Sequence, residues 1–519
     1  RDFWGIPYIK GKTDQDVAFG IGFAHAEDAY EDLVELMPLY RGENAIYNGL
    51  KSIETDYLVR LLKIHLKVEN IAKKQLSKNI LSMAQAYADG VNMYANQHPD
   101  KVNQKLHPVT QEDIIAGSYI QHLFFAGLDR DLEQLASQEE QSIPTGSNAI
   151  AINSIKADSN AAYLLINSHQ PLSGPVGWYE LNIESESGWH GHGGNFPGSF
   201  LINVGFNKTM GWGATVNRPD VMDIFELTIN PKNEDQYLLD GVWESFQIEE
   251  DYLAFKVFGF LKIKTKQKFR YSKFGPVLEM NGKYFAIRHA NQNSFNEIEG
   301  WYEISNTRSV YEFEKQLSKR KIPSFNFVTM DADRNIGYFY NGRIPLRNDA
   351  PVARQIIKSS SSKDIWDDDN LVSDLPKHIN PSNGWVQSTN QNPFHVMGNH
   401  SLEKKLIHKF VDFEKRLTNR SYVANELLSS NERIDLNRFI EIKFDNTYSK
   451  NSRQYKYLKS IAQYDQNIQQ TIKNWNRKTN LRNTNVGLGM CFMAQEWIAE
   501  MNGKSTPSYE SAKKECESI

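Results

Sequence analysis

The chain changes its hydrophobic period at Gly146-Ser147. Before that step apolar residues recur at helical spacing, as in Val17, Ile21, Ala24, Leu33 and Met37, and after it they alternate. A chain that switches from a 3.6-residue to a two-residue repeat is committed to helices packed against sheets, an α+β fold. The step lies in Thr145-Gly146-Ser147-Asn148-Ala149-Ile150-Ala151-Ile152, whose short apolar run reads as a buried strand. The preceding stretch, Ser137 to Pro144, is polar and contains proline, a composition that stays exposed and cleavable. Taken alone, Gly146-Ser147 is a turn leading into the strand.

On the helical side, Arg1 to Ile9 reads as a short strand, followed by a helix capped by Asp14 or Asp16. Further helical patterns cover Tyr57 to Leu66 and Ile80 to Asn96. Thr110 and Asp113 form a capping box that opens a helix through Ile114, Tyr119, Phe124 and Leu132. On the alternating side, Ala161 to Ile166, Phe200 to Val204, Met222 to Ile229 and the long stretch Tyr252 to Phe274 read as strands. Ser309 caps a short helix through Phe313 and Leu317, and Asp331 to Asn335 turn a hairpin. Helical patterns return beyond Asp412, including Asn485 to Met501. No internal repeat interrupts this order.

At 519 residues the chain exceeds one ordinary domain, yet one interlocked α+β core is also allowed. Its 40% apolar and 12% aromatic content belongs to a folded protein with a filled interior. A net charge of -4 spread over mixed signs offers no basic field for nucleic acid and no polybasic anchor for a membrane. Small molecules or peptides are the expected partners. No window approaches a membrane-spanning apolar length, and a start at Arg1 without methionine reads as a trimmed or processed end. Cys491 and Cys516 lack metal-ligand spacing and are either paired or free.

Four segments in order, Gly146-Ser147-Asn148, Asn167-Ser168-His169-Gln170-Pro171, Gly211-Trp212-Gly213-Ala214-Thr215-Val216-Asn217-Arg218-Pro219-Asp220 and Gly384-Trp385-Val386-Gln387-Ser388-Thr389-Asn390, resemble the penicillin acylase family of N-terminal nucleophile hydrolases. Phe19 to Asp28 and Ala86 to Tyr94 are similar to its first helices, and in motif style the chain is nearest to acyl-homoserine lactone and aculeacin-type acylases. The resemblance implies a four-layer αββα sandwich with a mainly helical N-terminal subunit. It also implies a zymogen that cuts itself into residues 1–135, a spacer 136–146 and residues 147–519, the two fragments remaining as a heterodimer. A periplasmic or secreted enzyme is implied, with a quorum signal or an antibiotic as the compound degraded. Relatives continue beyond the position of Ile519, so a chain truncated at its C-terminus is expected.

The resemblance also assigns residues. Gly146 and Ser147 are the processing bond, and Ser147 is then the nucleophile, activated by its own α-amino group, whose ordinary pKa of about 7.7 to 8.0 suits a base at neutral pH. The Asn390 side chain and the Val216 backbone N–H are the implied oxyanion donors, since attack on an amide places charge on the carbonyl oxygen. His169 stands beside the nucleophile, and Arg420 either braces Asn390 or is a solvated surface residue. Phe125 lines the acyl pocket or simply packs the core. Gln170 departs from the bulky apolar residue several relatives carry and brings a polar group to that pocket. Asp220, Asp223 and Asp131 match acids that hold a structural calcium in some relatives, or else are solvated loop residues. No cofactor is implied for catalysis. His25 is read as structural because its acidic neighbours on a helix face apart, and His190 and His192 because no third metal ligand is evident. The expected function is removal of an acyl group from an N-acyl compound, an acyl-homoserine lactone or acylated peptide. A penicillin or cephalosporin side-chain acylase is the second reading, and a catalytically silent binding protein of the same fold the third.

Overall fold

In the computed structural model, strands order themselves around the segment that begins at Gly146. The structure describes the chain apart from residues 129–131, 133–134, 136–145, 175, 259–260, 349–354, 399–412, 414–416, 481–482, 484–485, 502–503 and 517–519. The strand Gly146–Ile152 is central in a three-stranded sheet, antiparallel to Trp385–Ser388 on one side and to Tyr163–His169 on the other. Ala149 and Ala151 are small because this sheet lies directly on a second one. A side-chain carbon at Gly213 would come within 3.1 Å of Ala149 Cβ, so the two sheets meet without room for a further methyl group.

That second sheet has eight strands in the order Tyr8–Gly11, Tyr179–Ser185, His190–Asn195, Val204–Phe206, Met210–Thr215, Asn326–Asp331, Ile336–Tyr340 and Lys377–Ile379. Helices cover its far face, among them Glu297–Ser305 and Val310–Leu317, whose Trp301 and Phe313 pack on Phe327. Helices Asn419–Leu428 and Leu436–Lys443 cover the outer face of the three-stranded sheet, where Phe439 stacks on Tyr163. The layers therefore run helix, sheet, sheet, helix, as the resemblance implied. A six-stranded sheet built from Gln247–Val257, Leu261–Ser272, Gly275–Met280, Lys283–His289, Met222–Glu226 and Ile356–Lys358 stands beside them.

The N-terminal segment is helical and shares one hydrophobic core with the eight-stranded sheet. Val17, Met37, Met83, Tyr87, Ile115 and Tyr119 belong to the same buried cluster as Ile183, Trp212, Phe295 and Phe327. Helices Asp14–Asp28 and Lys78–Gln97 cross with their backbones in contact. A Cβ at Gly22 would fall 2.1 Å from the Tyr87 carbonyl oxygen, and one at Gly90 2.1 Å from that of Phe19. The first helix is capped by Thr13, with Asp16 completing the box, so the capping signal lay one residue ahead of the acids singled out in the sequence. Thr110 and Asp113 form the expected box, and their helix spans Gln111–Phe125.

Other boundaries shift for local reasons. Ile64–Lys67 is a separate helix because Lys63 adopts a left-handed conformation, with φ of 54°, after Ile53–Leu61. Phe200 to Ile202 are buried but not in a strand, which begins only at Val204. Tyr252 to Phe274 fold as a hairpin of two long strands rather than one. Cys491 and Cys516 are joined as a disulfide between the last two helices. Of the expected spacer only Gly146 is among the described residues.

The contact at Gly22 is testable. Gly22→Ala forces a methyl group against a backbone carbonyl, so it should destabilise the fold by about 1 to 3 kcal/mol, the usual cost of overpacking. Thermal or urea unfolding of the two proteins reads this directly, and an unchanged midpoint would show that the helices can separate at no cost.

Candidate active site

Ser147 is buried in the second position of its strand, opposite Ser168 in register, and Gly146 is opposite His169. Its hydroxyl donates to the carbonyl oxygen of Gly146 at 2.7 Å, and its backbone N–H donates to Asn390 Oδ1 at 2.7 Å. Asn390 reaches that position from just beyond the neighbouring strand, in a left-handed conformation with φ of 72° that asparagine tolerates better than most residues. Such a conformation persists only where its surroundings hold it.

Arg420 supplies much of that hold. From the first turn of helix Asn419–Leu428 its Nη1 donates to the Ser147 carbonyl at 2.7 Å and to Asn148 Oδ1 at 2.6 Å, while Nη2 donates to Asn390 Oδ1 at 2.9 Å. Burial lowers its pKa to about 10, which still leaves a full cation at neutral pH. The surface alternative for this arginine is thereby replaced by the bracing geometry. With Oδ1 engaged twice, the Asn390 amide nitrogen is turned to the Val216 carbonyl, to which it donates at 2.7 Å. Val216 thus meets Asn390 through its carbonyl, whereas the sequence pointed to its N–H.

His169 Nε2 accepts from Asn148 Nδ2 at 3.2 Å. Burial and the charge of Arg420 lower its pKa, so it is a neutral imidazole at neutral pH. Gly146 leaves room for the site around it: a Cβ there would lie 2.7 Å from Arg420 Nη2 and 3.1 Å from Asn390 Oδ1, and would push these side chains aside.

A cavity of about 30 Å³ opens beside Ser147, room for a few waters. Phe125 and Gln170 both line it, with Ser168, Trp178, Phe196, Asn203 and Phe325. Its wall is a run of rings: Trp178 stacks on Phe196 at 4.3 Å, Phe196 on Phe125 at 5.6 Å, and Phe125 meets Phe325 at 5.5 Å. Phe325 has φ of 92°, a strained value for a bulky residue, with its N–H anchored on Asn217 Oδ1 at 2.7 Å. At the back, His122 bonds the Ser118 carbonyl through Nδ1 and accepts from Trp301 Nε1 at 2.5 Å. Burial lowers its pKa to about 4, so it is a neutral packing element. Asn148, Trp178, Phe196, Asn203 and Trp301 were not singled out from the sequence. Asn148 alone carried a signal, its place directly after Ser147.

The acids expected to hold calcium are otherwise engaged. Arg347 lies between them, 4% exposed, with Nε 2.8 Å from Asp223 Oδ2 and Nη2 3.2 Å from Asp220 Oδ1. Trp366 Nε1 also donates to Asp223 Oδ2 at 2.6 Å. A guanidinium therefore occupies the space between the carboxylates, and these residues as arranged do not fit a divalent ion. Asp131 lies outside the described residues. Among the described residues no group of three His, Cys, Asp or Glu is placed to hold a metal. His25 is fully buried between Tyr87 and Asn195, and His192 bonds Asn182 and Glu180.

The family model described as penicillin amidase matches residues 1–509. Acyl-homoserine lactone acylases named PvdQ, from Pseudomonas savastanoi pv. phaseolicola and Pseudomonas syringae pv. tomato, are each 25% identical to the chain over 68% of its length, covering 51% and 52% of their own. The acyl-homoserine lactone acylase QuiP of Pseudomonas aeruginosa is 22% identical over 75% of the chain and 54% of its own length. The chain spans about half the length of these curated relatives. A penicillin G acylase from Alcaligenes faecalis superposes with a TM-score of 0.53 at 19% identity, over 69% of this chain and 64% of that one.

Arg347 sets a test for the acid pair. Arg347→Met removes the cation from between two buried carboxylates and should lower stability by about 3 to 5 kcal/mol, whereas a calcium chelator should leave the melting temperature of the wild type unchanged. A chelator-sensitive melting temperature would return the site to calcium.

Proposed function

The chain belongs to the penicillin amidase family, and we propose that it is a self-processing amide hydrolase that removes the acyl group of an N-acyl compound through Ser147. One observation carries this reading: the Ser147 hydroxyl rests on the carbonyl of the Gly146-Ser147 peptide, while Asn390 holds the nitrogen of the same peptide at 2.7 Å. Both ends of the bond to be cut are thus engaged by groups of the site.

In the proposed maturation, Ser147 Oγ adds to the Gly146 carbonyl carbon, the C–N bond breaks, and the nitrogen takes the proton. Water then hydrolyses the resulting ester, leaving a carboxylate on Gly146 and a free α-amine on Ser147. That amine serves as the base for turnover, accepting the hydroxyl proton directly or through water as Oγ attacks the substrate amide. The cation of Arg420 beside it disfavours protonation of the amine and so favours the form that acts as a base. Arg420 also orients Asn390 through Oδ1, and of the two Nδ2 hydrogens one goes to the Val216 carbonyl while the other is the proposed oxyanion donor, paired with the Val216 N–H. Because residues from both sides of the cut share one hydrophobic cluster, the fragments stay together as a heterodimer.

The relatives named acyl-homoserine lactone acylases support an N-acyl homoserine lactone as the substrate class. The likeness to a penicillin G acylase concerns the fold, which leaves a β-lactam side chain as the second reading. The small cavity admits only a short acyl group until its aromatic wall moves, and Gln170, Ser168 and Asn203 favour a chain that carries an oxygen. The Cys491–Cys516 disulfide supports a periplasmic or secreted location, since such bonds persist in oxidising compartments.

Intact-mass measurement of the purified protein should find two fragments, the second beginning at Ser147, and Ser147→Ala should remain one chain. Normal cleavage of that variant would remove Ser147 as the agent. Asn390→Ala, assayed on acyl-homoserine lactones in whatever fraction is processed, should lower kcat by about 10²- to 10³-fold with a smaller change in KM. An unaltered kcat would mean that another group stabilises the oxyanion.

A further inference from the structure

The hairpin of Gln247–Val257 and Leu261–Ser272 carries a charge pattern that hydrolysis does not use. Its register pairs Val257 with Leu261, Lys256 with Lys262, Phe255 with Ile263, Ala254 with Lys264, Tyr252 with Lys266 and Glu250 with Lys268. Directly paired residues of an antiparallel hairpin share a face. Lys256, Lys262, Lys264, Lys266 and Lys268 therefore lie on one side, and Leu253, Phe255, Val257, Leu261 and Ile263 on the other. Leu253 is buried and Phe255, Val257 and Ile263 are half-buried, whereas the lysines of the second strand are exposed.

The acids of the hairpin itself stand at its root and already have partners. Glu249 pairs with Lys63 at 2.6 Å, Asp251 with Arg60 at 2.6 Å, and Glu250 with Lys266 at 2.5 Å. Among the described residues Lys262 and Lys264, closer to the tip, make no ion pair, and Lys256 lies 6.0 Å from the Tyr47 ring. This uncompensated cationic strip stands on a chain whose net charge is -4. Beyond it two described apolar side chains are exposed, Phe258 at 86% and Leu261 at 49%. A second loop reaches the same end, since a Cβ at Gly49 would lie 3.9 Å from the Lys256 carbonyl oxygen. The residues after Gly49 are Leu50, 55% exposed, and the exposed Lys51.

We propose that this end of the molecule docks on an anionic lipid surface, with Phe258, Leu261 and Leu50 entering the headgroup boundary and Lys51, Lys256, Lys262 and Lys264 meeting the lipid phosphates. The order of the groups selects lipid over other polyanions. Apolar side chains project ahead of the lysines, and a bilayer offers an apolar layer just behind its charged one. A nucleic acid or an acidic peptide would leave Leu50 and Leu261 facing charge. No described helix is long and apolar enough to cross a membrane, and peripheral docking of a hairpin needs none. The contact is independent of whether Ser147 is active.

Sedimentation of the whole chain with vesicles tests it. Vesicles containing phosphatidylglycerol should carry the protein down at low salt and release it at high salt, and pure phosphatidylcholine vesicles should not bind it. Replacing both Lys262 and Lys264 by glutamate should weaken binding by at least about 25-fold, taking about fivefold for each lysine lost. Phe258→Ser, which keeps the charge, should weaken it as well. These positions are exposed, so an unchanged melting temperature separates lost docking from lost folding. Binding to neutral vesicles alone, no binding to either kind, or full binding by the double variant would overturn the proposal. Heparin binding as tight as vesicle binding, with Phe258→Ser altering neither, would also overturn it, in favour of a general polyanion surface.

Discussion

The guanidinium of Arg420 is the contact on which the candidate site depends. It bonds the Ser147 carbonyl, Asn148 Oδ1 and Asn390 Oδ1 together, and so ties a strand end, a loop and a helix to one planar group. A planar fork of donors suits this task because each acceptor is fixed in direction as well as distance. Its bond to Asn390 helps hold that residue's left-handed backbone, and its charge adds to burial in keeping His169 neutral. A buried charge is costly unless its hydrogen bonds are made, and here the neutral oxygens around it take that role in place of a carboxylate.

The second dependence is steric. The sheets and helices of the core meet at glycines and alanines, where backbone stands against backbone. Gly213 against Ala149 sets the spacing of the two central sheets, and Gly22 with Gly90 lets the N-terminal helices touch. Close approach is what allows the N-terminal helices to share their core with the eight-stranded sheet. Around Gly146 the same crowding acts on chemistry, since a side chain there would displace the group that holds Asn390.

The charge distribution shows how local arrangement outruns composition. Two acids that look like oxygen ligands for a cation sit against Arg347, a residue more than a hundred positions further along the chain that no motif links to them. In the hairpin the opposite happens. A net charge near zero conceals a strip of lysines because alternate residues on both strands face one way. In both places the deciding quantity is the distance between charges in space.

By itself the sequence determined the class of fold, the place where helices give way to sheets, the capping box at Thr110 and several of the side chains around Ser147. Each of these follows from short-range rules: periodicity, capping chemistry and the order of a few motifs along the chain. Ser147, His169, Asn390, Arg420, Phe125 and Gln170 were legible through the resemblance of those motifs to the penicillin acylase family. The tertiary structure decided which atoms of those residues meet. It turned the Asn390 nitrogen to the Val216 carbonyl, joined Asn148 to His169 and Arg420, built the cavity wall from Trp178, Phe196 and Phe325, and set Arg347 between Asp220 and Asp223. These contacts join residues far apart in the chain, and their geometry depends on sheet register and side-chain packing, which no single segment of sequence encodes.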